Sequence, residues 1–265
     1  MSQFSMNRTC SSGVRLEPHA TVGSTNAEAL ARARAGDSGP LWITAQRQTA
    51  GRGRRGRTWV SEPGNLYATL LLTDPAPLER SAELSFVAAL AVHDAITELA
   101  PVLAGRLALK WPNDVLVDGA KVAGILLESE GGRPFAVAVG IGVNCAHHPD
   151  VTSYPAIDLA SAGAPTAPER LFAALSRAML TRLTQWDRAR GFAAIRADWL
   201  ARAAGVGEPM RVALAERELE GRFEAIDRAG HLVLRLGDGS LASIPAGDVF
   251  PLAASTAATV SRTSA

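Results

Sequence analysis

The sequence predicts an α+β domain on a sheet that is not purely parallel, followed by a small all-β module. Three observations carry this. Apolar runs flank the Asp118-Gly119 and Gly131-Gly132 pairs, so successive strands are joined by tight turns and pair antiparallel. Apolar residues recur at helical spacing over residues 81–99, and residues 168–202 also read as helical. From Met210 onward the texture changes to short alternating runs between turns at residues 227–230 and 237–239.

Residues 1–13 are polar and patternless, and a disordered arm is expected there. A short strand follows over 14–16. Ser24-Thr25-Asn26-Ala27-Glu28 opens a helix, with Thr25 and Glu28 as a capping box and Gly36 as the stop. Strands over 41–45 and 65–73 flank a run of glycine and arginine. Leu84, Val87, Ala88, Ala91 and Ile96 form the apolar face of a helix over 81–99. Strands are then expected over 107–111, 114–117, 122–127 and 135–143, and two helices within 168–202, broken near Gly191. This makes one domain over 14–204. Gly205-Val206-Gly207 is the joint to a module over 205–253, and 254–265 reads as a disordered tail.

Composition narrows the function. In 265 residues the net charge is +1 and 20% of residues are charged, which excludes an acidic tail protein and a binder coated in positive charge. Two cysteines, Cys10 and Cys145, are too few for a disulfide framework or a zinc site. The start carries no apolar signal region, and the apolar stretch over 84–105 is interrupted by His93, Asp94 and Glu98. A cytoplasmic protein with no membrane contact is expected. Of 27 basic residues, 25 are Arg and two are Lys, Lys110 and Lys121. A GC-rich genome accounts for abundant Arg and for 49 Ala, and leaves the two retained lysines as candidates for chemistry.

Gly51-Arg52-Gly53-Arg54-Arg55-Gly56-Arg57 matches G-x-G-x-x-G, yet Pro63-Gly64 follows where a dinucleotide fold needs a helix. A P-loop fails too, because no Lys-Ser/Thr follows. What remains is glycine for close backbone approach and arginine forks suited to phosphate. On the run alone, three readings stay open: a loop closing over a polyphosphate, a solvated loop, or an Arg-rich RNA contact with Trp59 as a stacking face.

Further motifs follow in order: Lys110-Trp111-Pro112-Asn113-Asp114, Lys121-Val122-Ala123-Gly124-Ile125-Leu126-Leu127-Glu128, and Gly140-Ile141-Gly142-Val143-Asn144. Together with Ser24-Thr25-Asn26 and the run 51–59, this set resembles the biotin protein ligases over roughly residues 20–250. The resemblance implies a mixed, mainly antiparallel sheet with flanking helices, of the class II synthetase and lipoate ligase type, plus an SH3-like C-terminal β-barrel. It implies activation of biotin with ATP to biotinyl-5′-AMP, then transfer to a lysine of a biotin carboxyl carrier protein. Mg²⁺ would enter on the ATP phosphates, with no tightly bound metal. A homodimer is allowed, and no DNA binding is expected, since little chain precedes Ser24. Alternatives are a lipoate or octanoate ligase of the same fold and a non-catalytic Arg-loop RNA-binding protein.

By that resemblance, Lys121 meets the biotin carboxylate and acyl-phosphate oxygens, Lys110 meets phosphate, and Arg54 joins them in catalysis. Ser24, Thr25 and Asn26 receive the ureido ring, though they also read as a helix cap. Gln48, Arg52, Gly53 and Arg54 line the biotin site. Trp59 stacks on adenine or fills core, and Asn144 holds the nucleotide. Asn113 and Asp114 orient Lys110 or help place Mg²⁺, and Asp114 also reads as a hairpin cap. Ala123 and Gly124 leave room for a flat ligand. The reaction needs no side-chain nucleophile, so His93, His147 and His148 are not required; His93 reads as structural, and Cys145 as unreactive.

Overall fold

The computed structural model describes residues 8–132, 134–150, 154–214 and 217–252. They cluster into two compact units. The first takes the chain up to Ala204 together with Arg228–Gly230; the second takes Gly205–Asp227 and continues from His231.

The first unit is built on strands β1 (Arg8–Thr9), β2 (Arg15–Val22), β3 (Leu41–Gln48), β4 (Leu66–Thr73), β5 (Leu107–Lys110), β6 (Asp114–Val117), β7 (Ala120–Glu130) and β8 (Ala136–Val143). Its helices are α1 (Thr25–Arg34), α2 (Leu84–Leu99), α3 (Pro168–Trp186) and α4 (Phe192–Leu200). The eight strands form one sheet in the order β1-β2-β3-β4-β8-β7-β6-β5. Only β2 and β3 run parallel; every other neighbouring pair is antiparallel. The mixed, mainly antiparallel sheet is therefore as expected, and the β6–β7 hairpin turns on Asp118 and Gly119, with φ of 50° and 79°.

Alternation along β3 places the layers. Leu41 and Ile43 pack with Ala29 of α1, Leu71, Ala136 and Ala138. Trp42 points the other way and meets Phe172 of α3 edge-on, at 5.4 Å between ring centroids. So α1 covers one face of the sheet. Helix α2 is buried along most of its length, and Phe86 on it packs against Phe192 and Trp199 of α4. Among the described residues, no helix is long and apolar enough to cross a membrane.

The second unit holds β9 (Pro209–Ala213), β10 (Glu218–Ile226), β11 (Leu232–Arg235), β12 (Leu241–Ile244) and β13 (Asp248–Pro251) in one antiparallel sheet, ordered β12-β11-β10-β9-β13. Val212, Phe223, Ile226, Leu232, Leu234 and Ile244 are among its buried apolar residues.

Three local expectations change. Strand β2 runs to Val22, well past residue 16; β1 pairs only with Arg15 and Leu16, and Pro18 lies beyond that pairing. Of the arm expected over 1–13, residues 8–13 form β1 and a turn, with Ser11 Oγ donating to Ala173 O. Residues 1–7 and the expected tail 254–265 lie outside the described residues. The capping box is absent: Thr25 is already helical, and the cap residue Ser24 makes no side-chain bond to the helix.

Candidate active site

The face of the sheet covered by α1 continues past the helix N-terminus as a polar, glycine-floored surface. On β8, Ala138 under the helix is followed on the same face by Gly140 and Gly142. Their register partners on β7 are Glu128, Leu126 and Gly124, and on β4 are Leu71, Thr69 and Tyr67. A Cβ on Gly140 would come within 2.3 Å of Asn26 Oδ1, and one on Gly142 within 2.6 Å of the Trp59 ring. The glycines thus make the room that Asn26 and Trp59 occupy. Ala123, in contrast, is buried on the opposite face, so of the expected small pair only Gly124 belongs to this floor.

At the α1 end runs a chain of buried and half-buried polar side chains. Gln48 Oε1 accepts from Thr25 N at 2.8 Å and from Thr25 Oγ1 at 3.1 Å, and Gln48 Nε2 donates to Ser61 Oγ at 3.0 Å. Thr69 Oγ1, fully buried, lies 2.8 Å from Thr25 Oγ1 and donates to Asn26 Oδ1 at 2.7 Å. Asn26 Nδ2 donates to Leu126 O and, at 2.8 Å, to Glu128 Oε2. Ser24, Thr25 and Asn26 are each about 5% exposed or less, and partners inside the fold hold Thr25 and Asn26 in one orientation.

The glycine-arginine run folds as a narrow hairpin. Arg52 and Thr58 form a bridge, Gly53 N donates to Arg57 O at 2.7 Å, and Trp59 N donates to Gly51 O at 3.0 Å. Gly51 is required by packing, since a Cβ there would lie 2.4 Å from Trp59 O. The tip is a single 3₁₀ turn, Arg54–Gly56, so no α-helix starts in the run. Arg52 reaches Glu128 at 3.1 Å, and Arg54 Nη1 donates to Asn113 Oδ1 at 3.3 Å. Trp59 lies over Gly124 and Gly142, with its Nε1 buried and without a hydrogen-bond partner among the described residues.

The two lysines meet on one carboxylate. Lys110 and Asp114 are register partners across β5 and β6, with Nζ 3.3 Å from Oδ2. Lys121 Nζ lies 2.6 Å from Asp114 Oδ1. Simple alternation would place Lys121 opposite the even-numbered Gly124, Leu126 and Glu128. A one-residue register shift between β6 and β7, after Val115, breaks that alternation and brings Lys121 beside Gly124. Burial alone would raise the Asp114 carboxyl; the facing Lys121 and Lys110 ammoniums outweigh it and hold it below the usual carboxylate range. Asp114 therefore stays ionised, and it does more than cap a hairpin. Lys121 Nζ also lies 5.3 Å from the Trp59 ring centroid.

Asn113 Nδ2 donates to Ile125 O at 2.6 Å, which fixes the amide that receives Arg54. Asn144 directly follows β8, and its Nδ2 donates to Ile157 O at 3.1 Å. The histidines fall elsewhere: His93 is buried in α2, Asn65 donates to His147 O, and His148 pairs with Asp158 at 2.5 Å. Burial pushes the Cys145 thiol up to about 12, so it stays protonated. Among the described residues, no three His, Cys, Asp or Glu side chains converge as a metal site. Sequence reading assigns no role to Glu128 or Thr69. Glu128 does close the quoted β7 motif, whereas Thr69 sits in an apolar run with nothing to single it out.

Known proteins resemble this chain along most of its length. The pattern of the biotin/lipoate A/B protein ligase family matches residues 24–144, and that of the biotin protein ligase C-terminal domain matches 205–250. A biotin–[acetyl-CoA-carboxylase] ligase of Paracoccus denitrificans is 48% identical over 87% of this chain and 98% of its own length. One from Mycobacterium tuberculosis is 37% identical over 90% and 89%. Among solved structures, the biotin protein ligase of Aquifex aeolicus in complex with biotin and ATP superposes with a TM-score of 0.76 at 25% identity, covering 89% of this chain and 99% of that one. The Leishmania major enzyme in complex with biotinyl-5-AMP gives 0.61 at 26% identity, over 87% and 98%.

Proposed function

The chain belongs to the biotin protein ligase family, and we propose that the lysine pair on Asp114, with the glycine floor beside it, is where biotin is joined to ATP. The enzyme is a biotin–[acetyl-CoA-carboxylase] ligase. A biotin carboxylate oxygen attacks the α-phosphorus of ATP, the bond to the β-phosphate breaks, and pyrophosphate leaves biotinyl-5′-AMP. The neutral amine of a carrier lysine then attacks the acyl carbon, AMP departs and the amine loses a proton.

One observation supports placing the first step here: two ammoniums converge on a single buried carboxylate. The step brings two anions together, so preorganised positive charge at the reacting centre lowers its barrier. Lys121 meets the biotin carboxylate and the acyl phosphate, and Lys110 meets the nucleotide phosphates. Mg²⁺ arrives with ATP. Arg54 swings from Asn113 onto the forming anhydride, and Arg52 exchanges Glu128 for the ligand. Ser24, Thr25, Asn26 and Gln48 hold the ureido end, where neutral groups are needed. Gly53 lets the loop approach closely, Trp59 stacks on adenine, and Asn144 secures the segment beneath it. The second step needs no protein nucleophile, and orientation supplies much of its rate.

The test is to incubate the protein with biotin, Mg-ATP and an apo carrier domain, following pyrophosphate and carrier mass. Labelling by the unaltered chain and none by Lys121→Ala is the expected result. Full labelling by that variant would remove Lys121 from the reacting centre.

A further inference from the structure

Lys110 and Lys121 each lie against an aromatic ring as well as against Asp114. For Lys121 the ring is Trp59, on the glycine-arginine loop. For Lys110 it is Tyr154, whose ring centroid lies 4.2 Å from Nζ. Tyr154 belongs to the segment after β8, and that segment is bound to the lysine strand through its backbone. Lys121 N donates to Pro155 O at 2.7 Å and Ile157 N donates to Lys121 O at 3.0 Å, so residues 155–157 lie parallel to the start of β7. Asn144 clamps the same stretch from below, its Nδ2 on Ile157 O and its carbonyl receiving Leu159 N. His148 and Asp158 tie the base of the loop.

Electrostatics explains why a ring suits this place. Asp114 brings one negative charge to two ammoniums, and Lys121 holds it closer, at 2.6 Å against 3.3 Å for Lys110. A carboxylate in the ring's place would hold Lys110 too, yet it would repel an arriving phosphate. The face of an aromatic ring attracts a cation through its quadrupole and carries no net charge to compete with the ligand. The attraction is substantial here because the Lys110 side chain is only 12% exposed. The Tyr154 hydroxyl stays protonated: burial pushes it above its usual value, and the nearby Asp114 charge adds to that.

We propose that Tyr154 is a positioning residue for the nucleotide-side lysine, holding the Lys110 ammonium with its ring face while the 155–157 backbone fixes that ring relative to Lys121. The proposal rests on the reading that Lys110 meets ATP phosphates. It also makes the segment after β8 the element that sets the spacing of the two cations.

The experiment measures pyrophosphate release for Tyr154→Phe, Tyr154→Leu, Tyr154→Met, Lys110→Met and the Lys110→Met/Tyr154→Leu pair, with folding checked by circular dichroism. Tyr154→Leu and Tyr154→Met should each lose about tenfold in kcat/KM for ATP, with KM for biotin unchanged. Tyr154→Phe keeps the ring and should stay within about twofold of the unaltered chain. In the Lys110→Met background, Tyr154→Leu should cost nothing more. Three results overturn the proposal: an unchanged rate in folded Tyr154→Leu or Tyr154→Met, a loss in Tyr154→Phe as large as in Tyr154→Leu, or a full Tyr154→Leu loss without Lys110. Lys110→Met at the unaltered rate would overturn the lysine assignment itself, and is seen without touching Tyr154.

Discussion

Asp114 Oδ1 lies 2.6 Å from Lys121 Nζ, a contact made across a register shift between two strands of the sheet. The pair joins a residue at the start of β6 to one at the start of β7, and the same carboxylate receives Lys110 through its other oxygen. The charge state of Asp114 therefore governs both lysines.

The pH dependence of stability follows with a definite sign. The folded-state pKa of Asp114 is lowered by its two lysines against the opposing effect of burial. Its contribution is present above the unfolded carboxylate value of about 3.9 and is lost as pH falls through the lower folded value. Asp114→Asn should flatten that acid limb in urea unfolding curves and cost about 2 kcal/mol or more at pH 7, by removing the buried charge that faces both ammoniums. An acid limb identical to that of the unaltered chain would show that the pair contributes no linkage.

Lys121→Ala should cut pyrophosphate release by about a hundredfold or more, since it removes charge that the transition state needs. The fold should persist, because Lys110 still faces Asp114. A variant that releases pyrophosphate normally would contradict the proposed role of Lys121.

The glycine floor makes a steric prediction. Gly140→Ala would press on Asn26, and Gly142→Ala on the Trp59 ring. The first should raise KM for biotin by about tenfold or more, because Asn26 and its bonds to Thr69 and Glu128 must shift together. The second should move Trp59 and change the tryptophan emission of the ligand-free protein. Calorimetry with biotin and fluorescence spectra distinguish the two.

Glu128 receives both Arg52 and Asn26. Glu128→Gln should weaken the hold on the loop and increase proteolytic cleavage between Arg52 and Arg57, and biotin should restore protection. Unchanged cleavage would mean that the ion pair, with Arg52 45% exposed, contributes little to loop order.

Residue spacing made much of this legible. The Asp118-Gly119 turn, the helix at 25–34 and the strands around it are local matters of turn chemistry and periodicity. So was the candidate status of Lys110 and Lys121, through their isolation in composition. Two kinds of feature were not legible. One is the register shift near Val115: a period of two puts Lys121 on the wrong face, and only the pairing of β6 with β7 corrects it. The other is partnership across distance. Glu128 meets Arg52, 76 residues away in sequence, and Tyr154 meets Lys110 through a segment whose course no local pattern announces.

The shortage of lysine bears on the enzyme as a target of its own product. Biotinyl-5′-AMP acylates amines, and the side-chain amines of this chain are Lys110 and Lys121, both held on Asp114. Incubation with biotin and Mg-ATP in the absence of carrier should leave the intact mass almost unchanged, with any adduct at the α-amine; abundant adducts at other residues would refute this.

The same scarcity has a practical side. Amine-reactive dyes and activated resins find two side-chain amines in this sequence, both on Asp114, and ligand in the site should protect both. Coupling with and without biotin and Mg-ATP would then report how fully the reacting centre is occupied.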